Sequence, residues 1–251
     1  MKRDVPLVYF RAGQQSARRP DPRNHLSNLP YETIWRVQKL NTRRLASFLG
    51  VALATTWASI AVTVAIPSAA AEPCPDVEVI FARGTGEAPG VGGTGQAFVD
   101  SLRAQTGGKS VSVYAVNYPA SDDFANSIAA GAGDASAHVQ STAANCPNTR
   151  MVLGGYSQGA SVTDSITETM PPEVADHVAA VAVLGNPKSA YSTSLVGGPL
   201  PVISPLYAPK TIDLCVQDDP FCSEGGNWIA HGFYGFTGLT AKAAAFAAGR
   251  L

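Results

Sequence analysis

Apolar runs of four to seven residues alternate with longer amphipathic or alanine-rich segments along residues 72–251. The short runs are rich in β-branched residues and predict strands, whereas the longer segments predict helices. The predicted strands are 76–82, 111–116, 150–154, 178–184 and 211–214. The predicted helices are 96–105, 122–145, 158–169 and 239–250. Residues 191–209 are rich in Ser, Gly and Pro and are predicted to be irregular.

Strands of this kind carry apolar residues without alternation, which is typical of a sheet that is covered on both faces. Because such strands are separated by helices, the order predicts an α/β fold with a parallel sheet flanked by helices. Residues 72–251 are enough to form one domain of this kind and leave no residues for a second one, so we expect no separate lid domain.

Composition and charge narrow the class of protein. Apolar residues make up 45% of the 251 residues and charged residues 15%, which is typical of a globular chain and excludes a disordered or collagen-like one. Residues 1–71 carry a net charge of +7 and residues 72–251 a net charge of −8. Because residues 72–251 carry a net negative charge, this segment is not expected to bind nucleic acid.

Residues 1–71 are interpreted as an N-terminal extension with a secretory signal. Arg43 and Arg44 precede an uncharged, largely apolar core at 45–66, and small residues follow up to Ala71. We expect cleavage after Ala71 and a secreted, extracellular or cell-wall-associated domain at 72–251. The alternative is a retained membrane anchor, since 22 uncharged residues are long enough to span a bilayer. A second open question is whether translation starts at Val37, which would remove residues 1–36.

All four cysteines, Cys74, Cys146, Cys215 and Cys222, lie after the expected cleavage site. An even number in an exported domain predicts two disulfides, with three connectivities open. The short spacing between Cys215 and Cys222 favours a local bridge, which would leave Cys74 to pair with Cys146. No C-x-x-C pair or His-rich cluster occurs, so no metal site is expected.

Residues 155–159 read Gly-Tyr-Ser-Gln-Gly and match the G-x-S-x-G pattern of a nucleophile elbow. The pattern follows an apolar predicted strand and opens a predicted helix, which is the context that the elbow requires. Ser157 is therefore predicted to be a nucleophile in a fold of the α/β-hydrolase type. The alternative is a glycine-rich turn with an ordinary serine.

A serine hydroxyl needs a base, and four histidines are available. His25 lies in the extension, His138 within a predicted helix and His177 just before a strand. His231 lies late in the chain, where the order Ser…Asp…His places the base. The candidates for the acid are Asp213, Asp218, Asp219 and Glu224. Asp218 and Asp219 lie between Cys215 and Cys222, and the pattern does not choose between them.

Three motifs together resemble the cutinase family, and most closely the cutinase-like serine esterases of actinobacteria. These are Ala82-Arg83-Gly84-Thr85-Gly86-Glu87, Gly154-Gly155-Tyr156-Ser157-Gln158-Gly159, and the Cys215…Asp219…Cys222 box, followed by His231. The resemblance covers essentially all of residues 74–251.

This resemblance implies roles for individual residues. It implies a triad of Ser157, His231 and Asp219, because the family box places the acid four residues after its first cysteine. Thr85, where the family has Ser, and the amide of Gln158 are expected to form the oxyanion hole. The family also pairs its cysteines as Cys74–Cys146 and Cys215–Cys222, and it uses no metal or cofactor.

The implied activity is hydrolysis of carboxylic esters through an acyl-enzyme. Short- to medium-chain esters, cutin-like polyesters and lipids are the expected substrates, with Tyr118, Trp228 and Ile229 as candidates for an apolar groove. Transient contact with a lipid or polymer surface is a further expectation, and the oligomeric state is left open. The alternatives are a lipase or phospholipase, a peptidase or acyltransferase with the same triad, or a non-catalytic lipid-binding protein.

Overall fold

Residues 73–251 are described by a computed structural model of the chain. Five parallel strands form one sheet in the order β2-β1-β3-β4-β5. They are β1 (Val77–Ala82), β2 (Val111–Ala115), β3 (Arg150–Tyr156), β4 (Val178–Leu184) and β5 (Thr211–Leu214). The predicted α/β fold is confirmed. The predictions for the signal and its core at 45–66 lie outside the described residues.

Helices connect the strands and cover the sheet. They are α1 (Gly92–Arg103), α2 (Phe124–Asn145), α3 (Gln158–Thr169), α4 (Pro172–Ala175), α5 (Ala190–Val196) and α6 (Leu239–Ala248). Two 3₁₀ helices, Ala208–Lys210 and Ala230–Phe236, flank the last strand and the last helix. Among these described residues, no helix is long and apolar enough to cross a membrane.

The core lies in two layers, one on each face of the sheet. Alternate residues of β1 point to opposite faces. Val79 and Phe81 pack with α1 and α6, whereas Ile80 packs with α2 and α3. Both faces of the sheet are therefore shielded from solvent. This explains why β4 is buried at all seven positions and has a continuous apolar sequence.

The structure differs from the sequence-based prediction mainly in residues 191–209. Their first part belongs to α5, which is capped by the Ser189 hydroxyl and ends at Gly197 with φ of 72°. A capping Ser before the segment and a left-handed Gly after it are ordinary helix signals. These signals were not recognised in the sequence, because Ser and Gly are frequent throughout this segment. Helix α1 also begins earlier than predicted, at Gly92.

Both expected disulfides are present. Cys74 joins the start of the described chain to Cys146 at the end of α2, with Cα atoms 5.6 Å apart. Cys215 and Cys222 close a small loop after β5, with Cα atoms 5.9 Å apart. No free cysteine remains in the described part of the chain.

Candidate active site

The carboxyl edge of the sheet gathers the predicted site residues. Ser157 follows β3, the loop that contains Thr85 follows β1, and Asp219 lies in the loop after β5. His231 lies in the 3₁₀ helix that precedes α6. Since parallel strands end at the same edge, residues distant in sequence come together there.

Ser157 lies on a sharp strand-to-helix turn. Its backbone has φ of 55° and ψ of −123°, a conformation that L residues rarely adopt. The flanking glycines permit the close approach: a Cβ on Gly155 would lie 2.0 Å from the carbonyl oxygen of Gly159. A Cβ on Gly159 would lie 2.0 Å from the carbonyl oxygen of Ala82. The turn places the hydroxyl at the positive end of α3.

Ser157, His231 and Asp219 form one chain of hydrogen bonds. The Ser157 hydroxyl lies 2.8 Å from Nε2 of His231. The other ring nitrogen, Nδ1, lies 2.7 Å from Oδ2 of Asp219. With Nδ1 protonated, the imidazole donates to the carboxylate and accepts from the serine, which is the tautomer needed to remove the serine proton.

Asp219 is buried, with a side-chain exposure of 0%, and is held by further donors. The Tyr234 hydroxyl donates to Oδ2 over 2.7 Å, and the Phe221 amide donates to Oδ1 over 2.9 Å. Burial alone raises the pKa of this carboxyl. The hydrogen bonds from His231, Tyr234 and Phe221 outweigh it and hold the pKa below its usual value of 3.8. Asp219 is therefore an anion at neutral pH.

The other acid candidates do not reach the imidazole. Asp218 is exposed with φ of 64°, Asp213 pairs with Lys188 over 3.0 Å, and Glu224 accepts from the amide of Ala190. Of the four acid candidates, Asp219 is the one whose carboxylate contacts the imidazole of His231.

The imidazole is also fixed by aromatic neighbours that the sequence did not suggest. The ring of Tyr156 lies 5.2 Å from that of His231, and its hydroxyl donates to the His231 carbonyl. The ring centroid of Phe221 lies 4.0 Å from that of His231, and the two ring planes are inclined by 31°. Tyr156 belongs to the elbow motif itself, so its position beside Ser157 is the one signal that could have identified it.

The backbone amides of Thr85 and Gln158 lie at the cavity beside Ser157 and have no acceptor within residues 73–251. The Gln158 amide is the first of α3, and its side chain bonds elsewhere, to Ser127 and to the carbonyl of Ser121. Within residues 73–251, neither the amide nor the hydroxyl of Thr85 takes part in a hydrogen bond. Both residues line the cavity beside Ser157. Donors in these positions suit an oxyanion that develops next to the serine.

Hydrogen bonds of the Glu87 and Arg83 side chains hold the loop that contains Thr85. The Glu87 carboxylate accepts from the amides of Gly84 (2.7 Å) and Gly93 (2.8 Å). The buried Arg83 guanidinium donates to the carbonyl of Tyr118 over 2.7 Å and to the Glu87 carbonyl over 2.8 Å. These contacts fix the backbone before any substrate binds.

A cavity of about 480 Å³ opens at Ser157 and His231. Its walls are largely apolar and come from the start of α2, from α5 and from the loop of Asp219. The apolar lining residues are Phe124, Ile128, Pro187, Tyr191, Leu195, Val196, Leu200 and Phe221. Helix α5, which the sequence did not predict, thus supplies one side of the cavity.

The three groove candidates have different positions from those expected. The prediction for Tyr118 is wrong: its side chain is buried, donates to the Arg83 carbonyl and does not line the cavity. Trp228 packs edge-on against Tyr191 and Phe221, which do line it. Ile229 is 70% exposed and lies outside the cavity wall.

The described residues offer one compact group with metal-ligand atoms, Cys215, Asp219 and Cys222. Both sulfurs form the disulfide between them, so they supply no thiolate.

Comparisons with a family model and with individual proteins indicate the same family. The sequence model of the family described as Cutinase matches residues 73–251. The chain is 56% identical over 213 residues to the carboxylesterase Culp1 of Mycobacterium tuberculosis, covering 84% of this chain and 98% of that protein. It is 46% identical over 232 residues to the phospholipase Culp4 of the same organism, covering 88% and 97%.

A solved structure is also similar. It is a Trichoderma reesei cutinase in complex with a phosphonate inhibitor, with 32% sequence identity and a TM-score of 0.57. The match covers 69% of this chain and 75% of that one.

Proposed function

The chain belongs to the cutinase family of carboxylic ester hydrolases, and on that basis we propose that Ser157, His231 and Asp219 act as its catalytic triad. The observation that carries the proposal is the continuous hydrogen-bond chain from the Ser157 hydroxyl to the buried carboxylate, with links of 2.8 and 2.7 Å.

The reaction begins with acylation. Ser157 Oγ attacks the ester carbonyl while Nε2 of His231 takes the hydroxyl proton. Asp219 holds the ring and stabilises the imidazolium. The carbonyl oxygen gains negative charge and accepts from the amides of Thr85 and Gln158 and from the Thr85 hydroxyl. The ester C–O bond then breaks, and His231 gives its proton to the departing alcohol.

Deacylation reverses these roles. Water attacks the acyl-enzyme carbonyl as His231 takes one of its protons. The bond to Ser157 Oγ breaks, the proton returns to that oxygen, and the carboxylic acid leaves. No oxidant, reductant or other co-reactant besides water is consumed.

The preferred substrates are esters with an apolar acyl chain of short to medium length. The apolar walls of the cavity support this choice, because they would bury such a chain away from water. Two relatives are named a carboxylesterase and a phospholipase, which supports carboxylic esters and phospholipids as substrate classes. Simple acyl esters and lipid esters are therefore the first substrates to test.

Exposed apolar side chains follow the loop of Asp219 and favour contact with an insoluble substrate. Trp228, Ile229, Phe233 and Phe236 are exposed, the last of them at 85%. No Lys, Arg, Asp or Glu occurs between residues 225 and 241. Aromatic side chains on an uncharged segment favour a lipid or polymer surface over bulk water.

We also propose that the domain works outside the cytoplasm. Two disulfides in a domain of this size fit an oxidising compartment, where they persist. Mass spectrometry of the protein from culture medium tests this: a mature N-terminus at Glu72 supports export with cleavage. Recovery of the chain only in the cytosolic fraction, with reduced cysteines, would reject it.

The triad is tested by Ser157→Ala on hydrolysis of p-nitrophenyl esters. Loss of the nucleophile should lower kcat by about a millionfold or to below detection. Ser165→Ala, in the same helix, is the control and should retain activity. Unchanged ester hydrolysis by the Ser157 variant would contradict the proposal. Cleavage of peptides by the wild type in place of esters would favour a peptidase.

A further inference from the structure

Phe221 lies in the small disulfide loop, shortly after Asp219, and its ring packs on the imidazole of His231. The two ring centroids are 4.0 Å apart, and the ring planes are inclined by 31°. Rings that met edge to edge would keep their centroids about 6 Å apart or more, because carbon atoms in contact stay about 3.5 Å apart. The imidazole therefore lies over the face of the phenyl ring, where the ring quadrupole is negative.

The backbone of Phe221 is hydrogen-bonded on both sides. Its amide donates to Oδ1 of Asp219 over 2.9 Å. Its carbonyl accepts from the amides of Lys188 (2.9 Å) and Ser189 (3.2 Å) and from the Ser192 hydroxyl (2.8 Å). The last three donors lie at the start of α5, so the position of Phe221 is fixed relative to both the acid and the wall of the cavity.

Two further aromatic rings fix the orientation of the Phe221 ring. Tyr191 meets it at an interplanar angle of 78° with centroids 5.5 Å apart, and Trp228 meets it at 90° and 5.6 Å. Edge-to-face contacts of this kind are a preferred arrangement of aromatic pairs. Tyr156 also lies beside the imidazole, but its centroid is farther away, at 5.2 Å. Phe221 is thus the aromatic ring nearest to His231 in the described chain.

The imidazole of His231 gains a positive charge only during the reaction. It takes a proton from Ser157 in acylation and from water in deacylation, so the charge develops in both steps. The His231 side chain is 14% exposed, and water can therefore stabilise this charge only in part. Asp219 stabilises it at Nδ1, on the edge of the ring, whereas Phe221 contacts a face of the ring.

We propose that Phe221 is a positioning residue for His231 whose π face stabilises the imidazolium that forms in the transition state. The inference rests on the proposed function, since the imidazolium forms only if His231 acts as the base. A cation within about 6 Å of an aromatic centroid is attracted to the face of the ring, more strongly where water is excluded. Because the attraction grows as the charge develops, the ring raises kcat more than it lowers KM.

The test changes the electrons of the ring and keeps its shape. Phe221 is replaced at its single codon by 4-fluoro-, 3,5-difluoro-, 3,4,5-trifluoro- and pentafluorophenylalanine. Each fluorine withdraws electrons and weakens the negative face. We expect log kcat for p-nitrophenyl butyrate to fall stepwise, by about tenfold over the series, with a smaller change in KM. A constant kcat, or a change confined to KM, would reject the inference.

Phe246 is the matched control for this series. It is also half-buried, and the Arg250 guanidinium lies 3.5 Å from its ring centroid, so fluorination weakens a contact with a cation there too. Phe246 belongs to α6 and does not line the cavity at Ser157. The same replacements at Phe246 should therefore leave kcat within about twofold of the wild type. An equal fall at both positions would indicate a general effect on the fold and would overturn the assignment.

The Phe221 ring also lines the cavity, so its effect on the base has to be separated from contact with the acyl chain. p-Nitrophenyl acetate has almost no chain. We expect the fluorinated series to lower kcat for the acetate and for the butyrate by the same factor. A fall with the butyrate alone would assign the ring to binding of the acyl chain and would reject the proposal.

Phe221→Leu removes the aromatic ring and keeps an apolar side chain. We expect kcat to fall about three- to tenfold, with thermal unfolding used to show that the variant is folded under the assay conditions. If this variant does not fold, the fluorinated series decides. A folded Phe221→Leu variant with the wild-type kcat would overturn the proposal.

The outcomes separate this inference from the proposed function. If the wild type hydrolyses both esters and the fluorinated variants keep its kcat, the role of Phe221 is rejected and the triad stands. If the wild type hydrolyses neither ester, the proposed function fails and this inference fails with it.

Discussion

Asp219 is a buried carboxylate with three hydrogen-bond donors, and its neighbour Asp218 is exposed to solvent. The two residues have the same side chain and lie in the same disulfide loop. They therefore form a natural matched pair for separating a role in the reaction from a general effect of negative charge near the site.

We expect Asp219→Asn to lower kcat by about 10³- to 10⁴-fold, because an amide favours the wrong imidazole tautomer. Asp218→Asn should change kcat by less than about twofold, since its side chain points to solvent. Steady-state kinetics on a p-nitrophenyl ester measure both. A larger loss in the Asp218 variant would place the acid one residue earlier and contradict the assignment.

Tyr234 is a positioning residue for the acid. Its hydroxyl donates to Asp219 and accepts from the amide of Val216 over 3.0 Å, so it connects the carboxylate to the backbone after β5. We expect Tyr234→Phe to lower kcat by about tenfold or more with little change in KM, the loss of one hydrogen bond to a charged group.

Tyr207→Phe is the matched control for that variant. Tyr207 is equally buried, but its hydroxyl has no partner within residues 73–251. Its removal should leave kcat unchanged. Equal effects of the two variants on kcat would indicate that Tyr234 contributes only packing.

Among the helices and strands, the sequence predicts those that have a clear apolar pattern or adjoin a recognisable motif. Helix α3 and strand β4 have the predicted bounds, since one follows the elbow and the other is apolar throughout. Helix α5 is not predicted, because its seven residues are too short for a periodic pattern. The wall that it supplies to the cavity follows from tertiary packing, as does the burial of Tyr118.

The two disulfides belong to different elements and should have separable effects. Replacing Cys215 and Cys222 by Ala frees the loop of Asp219, so we expect kcat to fall at least tenfold. Replacing Cys74 and Cys146 by Ala should lower stability by about 2–5 kcal/mol and leave kcat of the folded protein near the wild-type value. Kinetics and thermal unfolding of both double variants measure this. The opposite pattern would contradict the positioning role of the smaller loop.

The stability of the whole molecule depends on a sheet with a buried apolar layer on each face. Asp164 is a buried residue with an ionisable side chain. Burial raises its pKa from 3.8 to about 7. Between these two pH values the folded state holds a proton that the unfolded state has released. This group therefore makes the protein less stable as pH rises from about 4 to about 7, and the penalty persists above pH 7.

We expect Asp164→Asn to raise the free energy of unfolding at pH 8 by up to a few kcal/mol, at about 1.4 kcal/mol per pKa unit. The gain should vanish near pH 4, where the wild-type carboxyl is protonated in the folded state. Denaturant unfolding at both pH values measures it, with exposed Asp100→Asn as control. An equal gain at both pH values would mean that the pKa of Asp164 is not raised.

Covalent labelling shows whether Ser157 is an activated nucleophile. A fluorophosphonate should form one adduct per chain, on Ser157 in peptide mapping by mass spectrometry, and the adduct should be absent from Ser157→Ala. His231→Ala should slow labelling by several orders of magnitude while the fold is retained. An unlabelled wild-type protein, or an adduct on another serine, would mean that Ser157 is not the nucleophile.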